Sequence, residues 1–171
     1  TAILPVGSGS SIVVTLTPVQ DSRVEADETA VLTVQSIGQA TPGAPGSGTL
    51  TITDDDVAVI TVTPAGSPAE SPLVAGTYTI STASTLEIAL TVNFAMSGTA
   101  VGADYTLAGA AGFAFPNGTA SLSIGAGPRS VAVTLTPVDD ALVEGSETAT
   151  LSVTAGVKYS GTPSANLTIL D

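Results

Sequence analysis

The chain contains no cysteine and no histidine. Without cysteine it can form neither a disulfide framework nor a thiolate metal site. Without either residue the commonest general bases and activated nucleophiles are missing, and the Ser and Thr residues have no evident partner base. The adjacent Asp139 and Asp140 fit the repeat described below better than the carboxylate pair of a glycosidase. We therefore expect a protein that is not an enzyme.

Basic residues are almost absent as well. Fifteen acidic residues against three basic ones give a formal net charge of −12. This charge would repel a phosphate backbone and an anionic membrane surface. No apolar run approaches the roughly 20 residues that a membrane-spanning helix needs. We expect no nucleic-acid partner and no direct insertion into a membrane.

The residues that dominate the chain are Thr, Ser, Ala, Val and Gly, which disfavour helix and favour short pleated strands. Apolar residues alternate with polar or small ones along 86–94, 131–135 and 149–153, as in strands that bury one face. Gly, Pro, Asn and Ser interrupt these runs at the spacing of antiparallel turns. The sequence predicts an all-β fold of antiparallel, immunoglobulin-like β-sandwiches.

An internal repeat divides the chain. The stretch Val-Thr-Leu-Thr-Pro-Val at residues 14–19 recurs unchanged at 133–138, an offset of 119 residues. The similarity continues from 20–30 to 139–149, and it resumes from 50–54 to 167–171. We infer that residues 57–171 form one complete repeat and that residues 1–56 are the C-terminal half of a preceding one, whose first half would precede Thr1.

Half of a sandwich would expose apolar strand faces and unpaired edges. We expect it to be completed either by residues before Thr1 or by strands from a neighbouring molecule. Outward strand positions carry Thr, Ser and Ala rather than Lys or Glu, which also favours lateral packing. The expected partners are therefore neighbouring repeats and identical subunits.

The phrase Asp-Asp-Ala-Leu-Val-Glu-Gly-Ser-Glu at 139–147 follows a Gly-Ala-Asp-Tyr element at 102–105, and an Asp run at 54–56 closes the first repeat. Together these elements resemble the Calx-β motif, known from regulatory domains of sodium/calcium exchangers, an integrin subunit and very large bacterial surface proteins. The resemblance covers essentially the whole chain. It implies tandem Calx-β sandwiches, one complete and one partial.

In calcium-binding Calx-β domains the ligands come from loops at one end of the sandwich. In the complete repeat the resemblance implies a C-terminal acidic set, namely Glu70, Asp104, Asp139, Asp140, the carbonyl of Leu142, Glu144, Glu147 and Asp171. In the partial repeat it implies an N-terminal acidic set, namely Asp21, the carbonyl of Arg23, Glu25, Asp54, Asp55 and Asp56. Gln20 stands where the first acid of the pair is expected.

Eleven of the fifteen acids belong to these two sets even without Glu147. Two carboxylates about 4 Å apart repel by roughly 4 kcal/mol at an effective dielectric constant of about 20. With so few basic residues, a bound cation is the expected counter-charge, and an all-oxygen ligand set suits Ca²⁺ better than Zn²⁺ or Mg²⁺. Two alternatives stay open: the acidic loops are merely solvated, or residues 54–56 are a charged hinge between domains.

The function we expect is that of a non-catalytic structural or adhesive segment of a large extracellular or cell-surface repeat protein. Calcium would rigidify the repeats, and the protein could assemble into a filament or sheath. The alternative is a calcium-sensing regulatory module of a membrane transporter or signalling protein. Sensing predicts a large calcium-dependent change in the angle between domains, whereas a structural role predicts long arrays and self-association.

Overall fold

The computed structural model describes residues 11–36, 38 and 40–171. The first ten residues of the expected half repeat lie outside the described residues. The described chain forms strands and no helix, so nothing in it is long and apolar enough to cross a membrane as a helix. The strands are β1 Arg23–Val24, β2 Glu28–Thr33, β3 Ser47–Ile52, β4 Ala58–Val59, β5 Thr61–Ala65, β6 Gly76–Thr82, β7 Thr85–Leu86, β8 Leu90–Gly98, β9 Tyr105–Ala108, β10 Ala111–Ala114, β11 Asn117–Leu122, β12 Arg129–Pro137, β13 Glu147–Val153, β14 Tyr159–Ser160 and β15 Ser164–Ile169.

Residues 58–169 contain two antiparallel sheets. One has five strands in the order β10-β11-β8-β13-β15, and the other has four in the order β5-β6-β12-β9. Buried residues alternate with exposed ones in β15 and with half-buried ones in β6, because successive side chains point to opposite faces. The observed sheets confirm the predicted all-β class.

The two sheets share one apolar core. Tyr78 and Val133 come from the four-stranded sheet, and Phe94, Leu151 and Leu167 come from the five-stranded sheet. The buried hydroxyl of Tyr78 crosses between the sheets and donates a hydrogen bond of 2.6 Å to the carbonyl oxygen of Ala149. The result is a β-sandwich with a mainly apolar interior, in which Glu70 and Thr82 are the buried polar or charged residues among those described.

The alternating run at 86–94 does not form one continuous strand. Leu86 lies in β7, and Leu90 begins β8. Between them the amide of Glu87 donates to the carbonyl of Val24, 3.0 Å away, so the chain leaves the sheet here to contact the N-terminal segment. The alternation of buried residues survives the break, because Leu86 and Leu90 are both buried.

The hairpin of β2 and β3 repeats the pairing of β13 and β15. Glu28 pairs with Ile52 as Glu147 pairs with Ile169, and the next five pairs follow in the same register. Past the last pair, Val34 N donates to Gly46 O at 2.9 Å, and Val153 N donates to the carbonyl oxygen of Pro163 at 2.9 Å. In residues 28–52 the sequence repeat therefore corresponds to a repeat in strand pairing, whereas residues 14–19 form no strand although their sequence is identical to that of 133–138, which lies mainly in β12.

A short parallel pairing connects the N-terminal segment to the sandwich: β1 pairs with β7, so that Val24 lies beside Leu86. A second parallel pairing, of β4 with β14, lies within residues 57–171 and places Ala58 beside Tyr159. The Val24 side chain is fully buried and belongs to the same apolar cluster as the sandwich core. These contacts bring the N-terminal acidic set against the sandwich.

Candidate metal centre

Each acidic set contains a tight turn that follows an apolar strand or segment. In the loop after β12, Asp140 Oδ1 accepts a hydrogen bond from Leu142 N at 2.6 Å. In the N-terminal segment, Asp21 Oδ1 accepts one from Arg23 N at 2.8 Å. Asp forms such turns readily because its short side chain reaches the backbone two residues ahead. The same residue type therefore folds both loops in the same way.

A second hydrogen bond joins each turn to the end of a later strand. Asp171 Oδ2 accepts from Glu144 N at 3.0 Å, and Asp54 Oδ2 accepts from Glu25 N at 3.0 Å. These are the closing acids of the two repeats, so equivalent residues make equivalent bonds. Acids far apart in sequence thus lie at one end of each unit.

Glu70 is the most buried acid of the C-terminal acidic set, with only 5% of its surface exposed. Its amide donates to the carbonyl of Leu170 at 2.8 Å, which ties this loop to the end of β15. Burial raises the pKa of the Glu70 carboxyl, and the charges of Asp171, Glu144, Asp140 and Asp139 raise it further. The charges of the acids grouped with Glu70 therefore act on its carboxyl group.

Asp104 and Glu147 complete this set from the other side. The carbonyl of Asp104 accepts from Val138 N at 2.9 Å, and its carboxylate accepts from Val101 N, so the turn before β9 is attached to the end of β12. Burial raises the pKa of Glu147, and the neighbouring Asp104 carboxyl raises it next. Glu147 Oε2 is buried and has no hydrogen-bond partner within the described parts of the chain.

The C-terminal acidic set has no basic neighbour in the part of the chain that the structure describes, since every ion pair found there involves other acids. Its side chains are nevertheless spread apart. Among the described residues, no group of three acids is arranged closely enough to hold a metal ion. Coordination would require these side chains to move closer together.

The N-terminal acidic set is different because basic side chains neutralise part of it. Lys158 Nζ lies 2.7 Å from Asp54 Oδ2 and 2.8 Å from Asp54 O. This contact lowers the pKa of Asp54, although burial opposes the change. Arg23 Nη1 lies 2.6 Å from Glu87 Oε1, and Arg23 Nε lies 3.8 Å from Asp21 Oδ2. Two of the three basic residues of the chain are therefore at this junction.

The remaining acids of this set border a small cavity of about 50 Å³. Burial raises the pKa of Glu25, with Asp21 as the next cause. Burial also raises the pKa of Asp56, with Asp54 and Asp55 contributing. The Asp55 carboxylate accepts a hydrogen bond from Gln20 Nε2 at 3.0 Å. Gln20, which replaces an acid of the motif, thus acts as a neutral donor.

Several residues of the junction were not predicted from the sequence. Asp27 Oδ1 accepts from Asp54 N at 3.2 Å, and Glu87 joins the set from the far side of the junction. Lys158 lies 104 residues from Asp54. The scarcity of basic residues was the available signal, because each one is then expected to have an acidic partner. Arg23, whose carbonyl the motif implies as a calcium ligand, contributes its side chain to the ion pairs seen here.

The donor sets fit a hard cation. They consist of carboxylate and carbonyl oxygens on irregular loops, which is the chemistry that Ca²⁺ prefers. Imidazole and thiolate ligands, which Zn²⁺ prefers, do not occur in the sequence. No protein-family model matches the chain, and no curated protein sequence matches it.

Proposed function

We propose that the chain is a non-catalytic structural segment of an extracellular, cell-surface repeat protein built from tandem Calx-β-like sandwiches. In this proposal the C-terminal acidic set binds Ca²⁺ and the ion stiffens the end of the sandwich. The partners are neighbouring repeats and identical subunits, packed into a filament or sheath. The observation that carries the proposal is Glu70, a residue only 5% exposed, whose carboxyl pKa is raised by burial and by the charges of four other acids and which takes part in no ion pair found among the described residues.

Electrostatics supports calcium at this set more than at the N-terminal one. Buried acids of like charge favour the protonated form unless a cation compensates them. At the N-terminal set Lys158 and Arg23 already supply positive charge. At the C-terminal set a divalent ion would supply it, held by Glu70, Asp104 and Asp171 with the paired acids of the loop after β12. The ion would act as a counter-charge that holds three loops together.

The junction supports a structural role more than a sensing one. A sensor would need the two halves of the chain to change their angle when calcium binds. Here two ion pairs and the parallel pairing of β1 with β7 hold them together without any metal. Calcium sensing as part of a transporter or signalling protein is therefore the second candidate. Sensing predicts that small-angle scattering curves of the chain differ between calcium and chelator, whereas the structural role predicts that they agree.

Calorimetric titration with CaCl₂ tests the metal proposal. We expect one main binding event with a dissociation constant of about 10⁻⁴ to 10⁻³ M, as in extracellular modules. At a calcium concentration of 100 times that constant, the free energy of unfolding should rise by about 2.7 kcal/mol. Glu70→Gln should abolish most of the heat, whereas the matched variant Asp55→Asn in the N-terminal set should retain it.

The proposal also predicts selectivity, because Mg²⁺ demands a stricter octahedral geometry and should give little heat at the same concentration. If calcium gives no heat, and melting curves with calcium and with chelator superimpose, the metal part of the proposal is wrong. The repeat architecture would be unaffected by that result.

A further inference from the structure

The β2–β3 hairpin is a two-stranded sheet, so neither of its edges has a partner strand among the described residues. In the sandwich the equivalent strand β13 lies between β15 and β8. The hairpin thus has the counterpart of β15, which is β3, but the described residues provide no counterpart of β8. The outer edge of β3 corresponds to that of β15, which is also an edge strand, so the edge that is paired in the sandwich but open here is that of β2, called the open edge below.

The face of this hairpin is apolar and exposed. Leu151 is fully buried in the sandwich, whereas its equivalent Leu32 is 55% exposed. Leu167 is 4% exposed, and its equivalent Leu50 is 57% exposed. Side chains of this kind stabilise a fold when they are covered and invite association when they are not. The sandwich shows what covers them, namely the inward face of a second sheet and the next strand β8.

The backbone groups of the open edge have defined directions. Val34 N donates to Gly46 O, which immediately precedes β3. Along an antiparallel strand the backbone groups of successive residues face opposite sides. The amides of Thr29, Val31 and Thr33 therefore face the open edge. On the equivalent edge of β13 in the sandwich, Thr148 O accepts a hydrogen bond from Ala100 N at 3.0 Å. No lysine or proline of β2 blocks such pairing.

We propose that the open edge of β2 binds a β-segment equivalent to β8 from another repeat unit, adding it as an antiparallel strand. The register follows from the sandwich, where Leu151 pairs with Met96 and Val153 pairs with Phe94. The bound segment therefore places its Met96 equivalent opposite Leu32 and its Phe94 equivalent opposite Val34. The partner is an uncharged strand with large apolar residues at alternate positions, as in residues 90–98.

This inference rests on the repeat architecture of the proposed function and not on its calcium, so the test is run both in chelator and in calcium. The isotope-labelled full chain is titrated with a synthetic peptide of residues 90–100 carrying lysines at its ends for solubility. We expect hydrogen exchange at the amides of Thr29, Val31 and Thr33 to slow at least about fivefold, the change that one net hydrogen bond gives. A control peptide with Asp at positions 92, 94 and 96 should not bind.

Two proline variants separate edge pairing from unspecific binding. Val31→Pro removes an amide that faces the open edge and should abolish peptide binding. Thr49→Pro is the matched control, because Thr49 pairs with Val31 and its amide faces the other edge of the hairpin. Leu32→Asp, which keeps the backbone edge but charges the apolar face, should also abolish binding.

Three results would overturn the inference. The first is the absence of peptide binding in both buffers. The second is equal binding by the wild type and by Val31→Pro. The third is a concentration-dependent dimer of the wild type that Val31→Pro converts to monomer, since the occupant would then be the β2 strand of a second copy. Peptide binding in chelator together with a failed calcium titration would leave this inference standing and remove only the metal.

Discussion

Val24 and Val143 occupy the same position in the repeated loop but have opposite environments. Val24 is fully buried beside Leu86, whereas Val143 is 98% exposed. This difference makes the two valines a matched pair for measuring what the junction between the N-terminal segment and the sandwich contributes. The same substitution, Val→Ala, removes two methyl groups from each.

The expected cost differs because only one side chain leaves an apolar environment. Burying a methylene contributes about 0.8 kcal/mol, so the loss of two at Val24 gives roughly 1.6 kcal/mol. The cavity left beside Leu86 adds to this, for a total of about 2 kcal/mol. Val143→Ala should stay within about 0.5 kcal/mol of the wild type, as exposed substitutions do.

Thermal unfolding with chelator measures both variants. For a chain of this size about 2 kcal/mol lowers the midpoint by roughly 4–8 °C. If the junction opens before the sandwich melts, hydrogen exchange in residues 20–27 will instead accelerate in Val24→Ala alone. Equal shifts for the two variants, or no change in exchange and midpoint for Val24→Ala, would refute the claim that this valine anchors the junction.

Two further predictions concern the charged groups. Lys158→Met leaves the Asp54 carboxylate without its cation, so the free energy of unfolding at pH 7 should fall by about 1.5–3 kcal/mol, measured by urea denaturation; an unchanged midpoint would contradict the role of this pair. Because the pKa of Glu70 is raised, the folded state releases this proton at a higher pH than the unfolded state does. The Glu70 contribution to the free energy of unfolding therefore falls as the pH rises above 4.5. In chelator, Glu70→Gln should flatten that decline and raise stability at pH 7, and a steeper decline would contradict it.

The acidic loops show how much of the candidate site could be predicted from the sequence. The resemblance to Calx-β domains grouped Glu70 with Asp104, Asp140 and Asp171, and the structure brings their loops to one end of the sandwich. Local bonds such as the turn at Asp140 depend on residues two positions apart, so they repeat wherever the motif repeats. Whether calcium occupies the site depends on how closely the side chains can approach one another, and the motif alone does not specify that distance.

The junction could not be predicted in the same way. The repeat gives Val24 and Val143 the same prediction, yet one is buried and the other is exposed. Likewise, Asp54 and Asp171 are equivalent acids, but only Asp54 pairs with Lys158. These differences arise from contacts between segments as much as 104 residues apart.

By itself, the sequence determined the all-β class, the similarity between the two copies of the repeated motif and the concentration of acids within them. It could do so because alternation, turn residues and a repeated motif act over short distances along the chain. Only the tertiary structure decided which acids are neutralised, which valine is buried and which strand edge stays open. Those properties depend on what packs against each loop, and two loops of similar sequence can lie against different neighbours.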